Sequence, residues 1–559
     1  MEKIFRIFSK EYININQAAL LLGTFTFFSQ ILALFRDRFI AHFIGPSPSL
    51  DAYYAAFRVP DLIFISVASL ASITVLVPFI LTRMEGDSVT KEARKFMNDV
   101  FTVFFSALVL VSLVAFFLMP YLIFFIAPGF TPIMQEKVIW LSRIMLLSCT
   151  FMGLSNLFGS ITQLFRKFFL YALSPIFYNI GIIIGILVLY PIFGIYGLAL
   201  GVALGAFMHF LIQFITSMKC GFPPGFSFNI DFGVIKRAVL ISLPRTLGLA
   251  FNNFALIAII SLASYLKVGS ISIFNFSFNL QSVPLNIIGI SYAVAAFPTL
   301  SKAFSNGKMD DFKEHLKSAG RQIIFWSLPV TFLFIVVRAQ IVRVILGSGS
   351  FSWDNTRLVA AALAIFSLSI LAQGMITLLS RAYYARGETT RPLIVNLFCS
   401  ILIIVLSYVF TYIFAHSLYF RFFIESMLKV SDIPGTEVLM LPLAYTVGTV
   451  LNFILHWVFV KKDFMGKESF LVTTFFQSLG ASFFLGLVSY ISLNILSPIF
   501  GTTTFWGVFL QGFISGMLGI SVAVLTLYLL KNKELLDLFE TLKTKFWRAK
   551  VLAPSQEGL

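Results

Sequence analysis

Two consecutive apolar stretches carry more charged residues than a membrane-embedded segment usually accepts. FSQILALFRDRFIAHFIG, residues 28–45, contains Arg-Asp-Arg at positions 36–38, and DAYYAAFRVPD contributes Asp51, Arg58 and Asp61. A charged side chain in the middle of a bilayer costs at least about 2.5–3.5 kcal/mol on insertion scales, so such groups usually face a polar cavity or a partner. The pattern therefore indicates a polar, charge-paired site within an apolar part of the chain.

Helical spacing sorts the polar residues of the first stretch into two rows. Ser29 and Arg36 are seven residues apart, which is two helical turns and places both on one face. Gln30 and Asp37 have the same spacing and form the adjoining row. We therefore expect these four side chains to line one side of a single helix.

The second stretch repeats this spacing. Asp51 and Arg58 share a helix face, and Arg58 with Asp61 has the i,i+3 spacing of an ion pair. An alternative is that the arginines only extend to the lipid headgroups. Arg38, near the end of its stretch, fits this alternative better, whereas Arg36 and Arg58 lie deeper and close to carboxylates.

Neutral polar residues continue the pattern in two later apolar segments. One segment carries a stripe at i, i+4, i+7 and i+11, formed by Asn275, Asn279, Ser282 and Asn286. The other carries Arg245, Asn252 and Asn253. Buried amides need hydrogen-bond partners, so the stripe either bonds to neighbouring helices or lines a water-filled lumen.

The elements that position these residues are predicted to be membrane-spanning helices. Of the 559 residues, 58% are hydrophobic and 12% charged, against about 45–50% and about 25% in soluble proteins. Apolar runs of about 20 residues span a bilayer, and fourteen occur: 17–41, 52–82, 98–127, 133–160, 167–190, 193–217, 238–266, 271–301, 322–346, 357–380, 392–415, 437–460, 470–493 and 504–530. The sequence predicts an all-α integral membrane protein.

The net charge of +16 reflects topology. With the N-terminus inside, the inner segments hold several times as many Lys and Arg as the outer ones, as expected for cytoplasmic loops. This distribution predicts cytoplasmic N- and C-termini and argues against nucleic-acid binding. The segments 307–322 and 531–550 have charged residues alternating with apolar ones at helical spacing, which predicts helices on the inner membrane surface.

The sequence contains no enzyme signature. The five histidines are scattered, no His/Cys/carboxylate cluster has metal-ligand spacing, and no phosphate-binding glycine loop occurs. We therefore expect no catalytic residue, metal or cofactor. Glycines at four-residue spacing, namely Gly181/Gly185, Gly197/Gly201/Gly205 and Gly512/Gly516, predict close helix packing.

Several segments together resemble one family. FSQILALFRDRFIAHFIG and DAYYAAFRVPDLI are similar to the opening of the MurJ/MviN lipid II flippases. AAFPTLSKAF, IVRVILGSGSFSWDNTRLVAAALAIFSLSI and LLSRAYYARGETTRPLI are also similar to segments of this family. The matches run in the same order over roughly residues 20–400. The family belongs to the superfamily that includes multidrug exporters and polysaccharide flippases.

The resemblance implies two six-helix lobes around a central cavity, with two additional C-terminal helices forming a groove for a lipid tail. The implied organisation is a cytoplasmic amphipathic segment (1–16), an N-lobe (17–217), a cytoplasmic linker (218–237), a C-lobe (238–460), helices 13 and 14 (461–530) and a cytoplasmic amphipathic tail (531–559). The implied cargo is an undecaprenyl-pyrophosphate-linked muropeptide. Cavity arginines would hold its pyrophosphate, because guanidinium groups match phosphate geometry.

This sequence departs from the family pattern at several cavity positions. Gln30 stands where the family has an arginine, and Phe64, Phe278 and Asn279 also replace charged residues. The acid expected for sodium binding corresponds to Ile259. Arg36 and Arg58, with Arg245 as a third candidate, would therefore carry the phosphate together with neutral amides.

These observations predict a lipid II flippase of the bacterial cytoplasmic membrane that works by alternating access. The predicted cavity residues are Ser29, Gln30, Arg36, Asp37, Asp51, Arg58, Arg245, Asn252, Asn253, Asn275 and Asn279. The expected partners are lipid II, membrane lipids and cell-wall synthesis enzymes. Two alternatives remain at this stage: an exporter of another polyprenyl-linked glycan or of a drug or cation, and a non-transporting scaffold for cell-wall enzymes.

Overall fold

The computed structural model describes residues 15–547 except 69–75, 77–78, 81, 85–88, 467–470 and 502–503. At a few further positions, including Arg245, it describes the helical backbone but not the side chain. Throughout this part of the chain the regular secondary structure is helical, without a strand, which confirms the all-α prediction. Nearly all of the predicted segment 1–16, and the last residues of the predicted tail, lie outside the described residues.

The helices of the first part of the chain match the predicted apolar runs. They are α1 (Ile15–Phe43), α2 (Pro48–Ala56), α3 (Arg58–Ile63), α4 (Lys91–Ile126), α5 (Pro132–Leu164), α6 (Phe168–Ile184), α7 (Tyr190–Phe193), α8 (Ile195–Lys219) and α9 (Phe232–Ala263). Short π-helical segments follow α3 (Phe64–Ala68) and α6 (Gly185–Leu189).

Most helices of the second part of the chain also match the predicted runs, but the one over residues 418–428 lies between two of them. The helices of this part are α10 (Ser270–Pro284), α11 (Ser291–Ser305), α12 (Met309–Val336), α13 (Arg338–Leu346), α14 (Trp353–Ser367), α15 (Ile370–Ala385), α16 (Thr390–His416), α17 (Leu418–Leu428), α18 (Met440–Val460), α19 (Val472–Phe500), α20 (Phe505–Leu529) and α21 (Lys533–Trp547). Leu285–Ile290 and Lys461–Met465 are π-helical and Thr436–Leu439 forms a 3-10 turn.

Eleven helices in the described residues are long and apolar enough to cross a membrane, and α14 with α15 makes a twelfth if the bent pair is one span. Helix α1 lies at the position of the first predicted span, and α2 and α3 lie in the first part of the second. The protein is therefore a multi-pass membrane protein. The observed count is compatible with fourteen spans, which stays a prediction.

Proline explains two of the irregular helical segments. Val59-Pro60 precedes the π segment Phe64–Ala68, and Val283-Pro284 directly precedes Leu285–Ile290. Proline has no N–H for the carbonyl four residues earlier, and π-bulges often form where the helical bonding is interrupted in this way. The Ala56 carbonyl, which Pro60 leaves unpaired, accepts a hydrogen bond of 3.0 Å from the Ser142 hydroxyl.

The glycine pattern predicts one close helix crossing correctly. In α6 and α8, Gly181 faces the backbone of Gly205, and Gly185 faces that of Gly201, so that a side-chain carbon at any of these positions would overlap the facing helix. Gly197 approaches the carbonyl of Leu189 in the same manner. This is the small-residue packing expected between helices in lipid.

Gly512 and Gly516 also lie at helix contacts, but against side chains and not against a facing backbone. These glycines of α20 face the side chains of Gln340 and Leu333. The close approach of α20 to α19 occurs instead at Gly519, which lies against Leu485. The spacing alone shows which residues are small, but the crossing point depends on which of them faces the partner helix.

The chain forms two compact units. The first comprises residues 1–283, 345–366 and 387–456, and the second comprises 284–344, 367–386 and 457–559. Within the second unit, Phe325, Leu485 and Leu527 belong to a buried apolar cluster. The charged hairpin and the amide stripe up to Ser282 all belong to the first unit.

Both predicted surface segments are helical. Residues 309–321 form the start of α12 and continue without a break into its apolar part, and residues 533–547 form α21. At the start of α21, the buried Glu534 accepts a hydrogen bond from Thr474 at 3.3 Å and pairs with Arg321 Nε at 3.1 Å. This pair holds the two surface helices together within the second unit.

Candidate functional site

The centre of the charged site is an ion pair between adjacent residues of α1. The Nε and Nη2 atoms of Arg36 donate to Oδ1 of Asp37 at 2.9 and 2.8 Å. The Asp37 side chain is 4% exposed and that of Arg36 20%. The carboxylate thus compensates the arginine charge in a largely buried setting, and much of the Arg36 donor capacity is used within the protein.

A buried amide from α6 connects the two polar positions that share a face of α1. Arg36 Nη1 donates to Asn179 Oδ1 at 3.3 Å, while Asn179 Nδ2 donates to the Ser29 hydroxyl at 3.2 Å. Ser29 and Arg36 therefore face the same neighbouring helix. This confirms their common face, as the seven-residue spacing predicts.

The amide stripe of α10 bonds to both charged hairpin segments. Asn279 Nδ2 donates to Oδ2 of Asp37 at 3.2 Å. One turn earlier, Asn275 Oδ1 accepts a hydrogen bond of 2.7 Å from Arg58 Nη2. Of the two explanations for the stripe, helix-to-helix hydrogen bonding accounts for these two positions, since each amide is engaged by a charged side chain.

Asp51 has a separate role at the start of α10. Its Oδ2 accepts the backbone N–H of Gly269 at 2.6 Å, and its Oδ1 accepts the backbone N–H and the hydroxyl of Ser272 at 2.8 and 2.6 Å. The first N–H groups of a helix have no partner within the helix and attract negative charge. Asp51 therefore caps α10 from α2 and joins the two helices.

Asp51 and Arg58 face the same helix, as their spacing predicts, but they do not bond to each other. Asp51 binds at the start of α10, and Arg58 binds Asn275 farther along it. The i,i+3 spacing predicts an ion pair between Arg58 and Asp61. The Nη2 atom of Arg58 bonds instead to the neutral amide of Asn275. The N-cap of α2 is Ser47, whose hydroxyl accepts the N–H of Leu50 at 3.3 Å.

Arg58 differs from Arg36 in its hydrogen bonding. Its Nε is buried and has no hydrogen-bond partner among the described residues, and the same holds for the hydroxyl of the neighbouring Tyr54. Its Nη2 is bonded to a neutral group, whereas Arg36 is bonded to a carboxylate. Because buried donors normally have partners, Arg58 is the stronger candidate for binding an anionic group.

The remaining predicted residues are less closely connected with this network. Gln30 and Asn253 are half-buried, and Asn252 is exposed on α9. Arg245 is a residue of α9, but the structure does not describe its side chain. Asn286 falls in the π segment after α10, so the stripe is not one continuous α-helical face.

Two residues of the network are absent from the sequence-based prediction. Asn179 is a single amide in the apolar run SPIFYNIGIII, and a buried amide in a membrane span is itself a signal, because it needs a partner. Ser272 offers no comparable signal. Its hydroxyl and N–H matter only because the start of α10 lies against Asp51, which the sequence does not reveal.

Comparison with known proteins identifies the family. The family model described as "Lipid II flippase MurJ" matches residues 40–511. The chain belongs to this MurJ family. A probable lipid II flippase MurJ of Rickettsia prowazekii (strain Madrid E) is 28% identical over 393 residues, covering 69% of this chain and 76% of the relative. The lipid II flippase MurJ of Burkholderia cenocepacia is 26% identical, with 72% and 80% coverage.

Solved structures give the same fold. A lipid II flippase MurJ in an inward closed conformation has a TM-score of 0.73 at 21% identity, covering 92% of this chain and 99% of that one. An inward-facing multidrug resistance MATE transporter has a TM-score of 0.62 at 14% identity, with 79% and 97% coverage. The MurJ fold is thus shared with the wider transporter superfamily, as the sequence resemblance implies.

Proposed function

We propose that this protein is a transporter that moves lipid II from the inner to the outer leaflet of the bacterial cytoplasmic membrane for cell-wall synthesis. The observation that carries this proposal is membership of the MurJ family over residues 40–511. The membrane-spanning helices and the buried arginines of the first unit fit a cargo with a lipid tail and a phosphate-containing headgroup. The comparisons give no support to the alternative exporter and scaffold functions over this one.

Arg58 is the first phosphate ligand in the proposed mechanism. Its Nε is buried without a partner in the described part of the chain, and its Nη2 bonds to an uncharged amide. A pyrophosphate oxygen can accept from a guanidinium in a charge-assisted hydrogen bond. Displacing Asn275 costs one hydrogen bond to a neutral group, which is less than breaking an ion pair.

Arg36 is the second ligand and must first exchange its partner. Its bonds to Asp37 occupy Nε and Nη2, while Asn279 bonds to the other oxygen of the same carboxylate. A phosphate that binds Arg36 would compete with Asp37, and Asn279 would keep the released carboxylate hydrogen-bonded. Arg36 and Arg58 occur with Asp37, Asp51 and Asp61, so phosphate binding here depends on directed hydrogen bonds rather than on an excess of positive charge.

Asp51 would control access in this mechanism. Its bonds to Gly269 and Ser272 join α2 and α10 at one end of the helices. From the Lys and Arg distribution we place this end outside, with both termini cytoplasmic. Residues 17–217 and 238–460 would act as the two lobes, and opening the cavity to the outside would require the Asp51 cap to separate from α10.

The membrane potential can supply part of the driving force. An inside-negative potential favours outward movement of an anion by about 2.3 kcal/mol per charge per 100 mV. A headgroup with two negative charges would therefore gain about 4–5 kcal/mol.

Cell-wall synthesis enzymes that consume the exported precursor are the proposed protein partners. Helices α19 and α20, within residues 461–530, would hold the lipid tail.

Complementation tests the proposed function. The full chain is produced in a bacterium depleted of its own lipid II flippase, and exposure of lipid II to a membrane-impermeant probe is measured on intact cells. We expect growth and lipid II exposure to be restored. Normal membrane insertion without exposure would contradict the proposal.

Arg58→Gln tests the phosphate ligand in the same cells. A hydrogen bond to a charged group contributes about 1.5–3 kcal/mol, so we expect transport to fall by about ten- to hundredfold. Arg143→Gln is the matched control. Its guanidinium lies over the Phe116 and Trp140 rings at 4.5 and 4.8 Å, outside the charged network, and this variant should retain transport. If Arg58→Gln retains as much transport as Arg143→Gln, Arg58 is excluded as a cargo ligand.

A further inference from the structure

Helix α17, between the candidate spans α16 and α18, has its amphipathic pattern reversed relative to a water-exposed helix. One face carries the exposed residues Leu418, Tyr419, Phe422, Phe423 and Met427, which range from 55% to 92% exposed. The opposite side carries the two charged residues of this helix, of which Glu425 is buried and Arg421 has a side chain that is 43% exposed. In a helix exposed to water, apolar residues would face the protein and charged residues the solvent.

The inward side of α17 is held by a specific set of hydrogen bonds. Glu425 is buried and accepts from Arg421 Nε at 3.0 Å and from the Thr436 hydroxyl at 2.6 Å. The Arg421 guanidinium also lies 5.8 Å from the centre of the Phe414 ring. The charges on α17 therefore bond within the protein, and the apolar face is left on the outside.

Both ends of α17 are also well defined. Ser417 caps the first turn by accepting the N–H of Phe420 at 3.3 Å, and Lys429 ends the helix in the left-handed conformation with φ 61°. Beyond it, Arg357 donates to the Lys429 carbonyl and to both oxygens of Asp432. These contacts attach α17 to the start of α14 and fix its orientation.

The exposed face of α17 follows directly on an exposed apolar face of α16. Helix α16 is a candidate membrane span with exposed apolar and aromatic residues repeated every three or four positions: Phe398, Ile401, Val405, Tyr408 and Tyr412. This stripe ends one turn before Ser417, where α17 begins. Tyr412 and His416 stack with ring centres 4.2 Å apart at this junction.

We propose that α17 is an interfacial helix whose apolar face is buried among the acyl chains of the leaflet at the end of α16. The aromatic and aliphatic face would lie at the boundary between headgroups and acyl chains, where Tyr and Phe side chains are favourable. The exposed Lys429 lies at the end of the helix, where it can reach lipid phosphates.

The lipid bilayer accounts for this surface better than a protein partner. The apolar face has no charged group to specify a partner, and it adjoins the exposed apolar face of α16, a candidate membrane span. The inward ion pair explains why the helix keeps its orientation, since turning it over would expose the apolar side chains of its buried face, including Ile424 and Leu428, and break the Glu425 bonds. This inference does not depend on which cargo is transported.

Footprinting of the unmodified chain in lipid nanodiscs tests the proposal. Hydroxyl radicals in water oxidise accessible Tyr, Met and His side chains, and a photoreactive carbene probe dissolved in the acyl chains labels residues that face lipid. We expect Tyr419 and Met427 to be protected from oxidation and labelled by the lipid probe, like Tyr408 in α16. His315, exposed on the charged part of α12, is the control for access to water.

Two outcomes would overturn the proposal. Oxidation of Tyr419 and Met427 without lipid labelling would place α17 in water, and absence of both modifications would place a protein, such as a second copy of the chain, over this face. In a second experiment, Phe422→Glu should raise the oxidation of Tyr419 severalfold, whereas Phe422→Leu should leave it unchanged. Equal protection in both variants, with Phe422→Glu folded as judged by gel filtration, would also contradict a lipid-embedded face.

Discussion

Replacing Asp37 by asparagine tests the most unusual feature of the charged site, an ion pair between adjacent residues. The substitution removes one negative charge and almost no volume. Asp37 Oδ1 accepts both Nε and Nη2 of Arg36, at 2.9 and 2.8 Å. In the variant, Arg36 would keep its bond to Asn179 but lose its counter-ion.

The expected loss of stability follows from burial. Removing one member of a fully buried ion pair costs about 3–5 kcal/mol, because the remaining charge is left uncompensated. The Arg36 side chain is still 20% exposed, so part of its charge can be solvated or compensated by shifted neighbours. We therefore expect Asp37→Asn to lower the free energy of unfolding by about 2–3 kcal/mol.

A double-mutant cycle separates this pairing energy from other effects. The free energy of unfolding is measured by detergent-induced unfolding in mixed micelles for Asp37→Asn, Arg36→Gln and the double variant. Each single substitution leaves one buried charge, so the double variant should be more stable than the sum of the single effects predicts, with a coupling of about 2 kcal/mol. Additive effects within about 0.5 kcal/mol would refute the argument that Asp37 compensates Arg36.

The same variant also has a functional consequence. Loss of the carboxylate frees two N–H donors of Arg36, and these are the donors that a cargo phosphate would need. We expect detergent-solubilised Asp37→Asn to bind lipid II more tightly than the unmodified protein. Unchanged binding, with Arg36→Gln also unchanged, would remove Arg36 from the proposed phosphate site.

Two further substitutions test contacts outside this ion pair. Asp51→Ala removes both carboxylate oxygens that cap α10, and since a lost helix cap costs about 0.5–2 kcal/mol, unfolding in mixed micelles should show a loss of this size; wild-type stability would contradict the capping role. Hydrogen bonds from Arg357, each 2.6 Å long, hold the pKa of Asp432 below its usual value. Because this pKa is lower in the folded than in the unfolded protein, the pair stabilises its loop above about pH 4 and this contribution is lost as the pH falls through the folded value. A spin label at Ser431 should become mobile in acid, and in Arg357→Gln it should be mobile throughout; a label that stays immobile in that variant would contradict the pairing.

Much of the fold can be predicted from the sequence because helices in lipid obey local rules. Length and apolar composition determine where a span can form, and the seven-residue spacings of Ser29 with Arg36 and of Asp51 with Arg58 determine which residues share a face. Both spacings agree with the observed partners, Asn179 for the first pair and α10 for the second. The glycines of α6 and α8 likewise predict a close crossing, since only residues without a side chain allow that approach.

The choice of partners required the tertiary structure. The sequence places Asp37 and Asp51 near arginines, but it does not show that one carboxylate pairs with Arg36 whereas the other caps α10. That difference depends on which helix lies opposite each side chain, and hence on contacts between residues more than 200 positions apart. The same reason applies to α17: its composition indicates an amphipathic helix, but only the contacts of Glu425 with Arg421 and Thr436 show which face is turned outward.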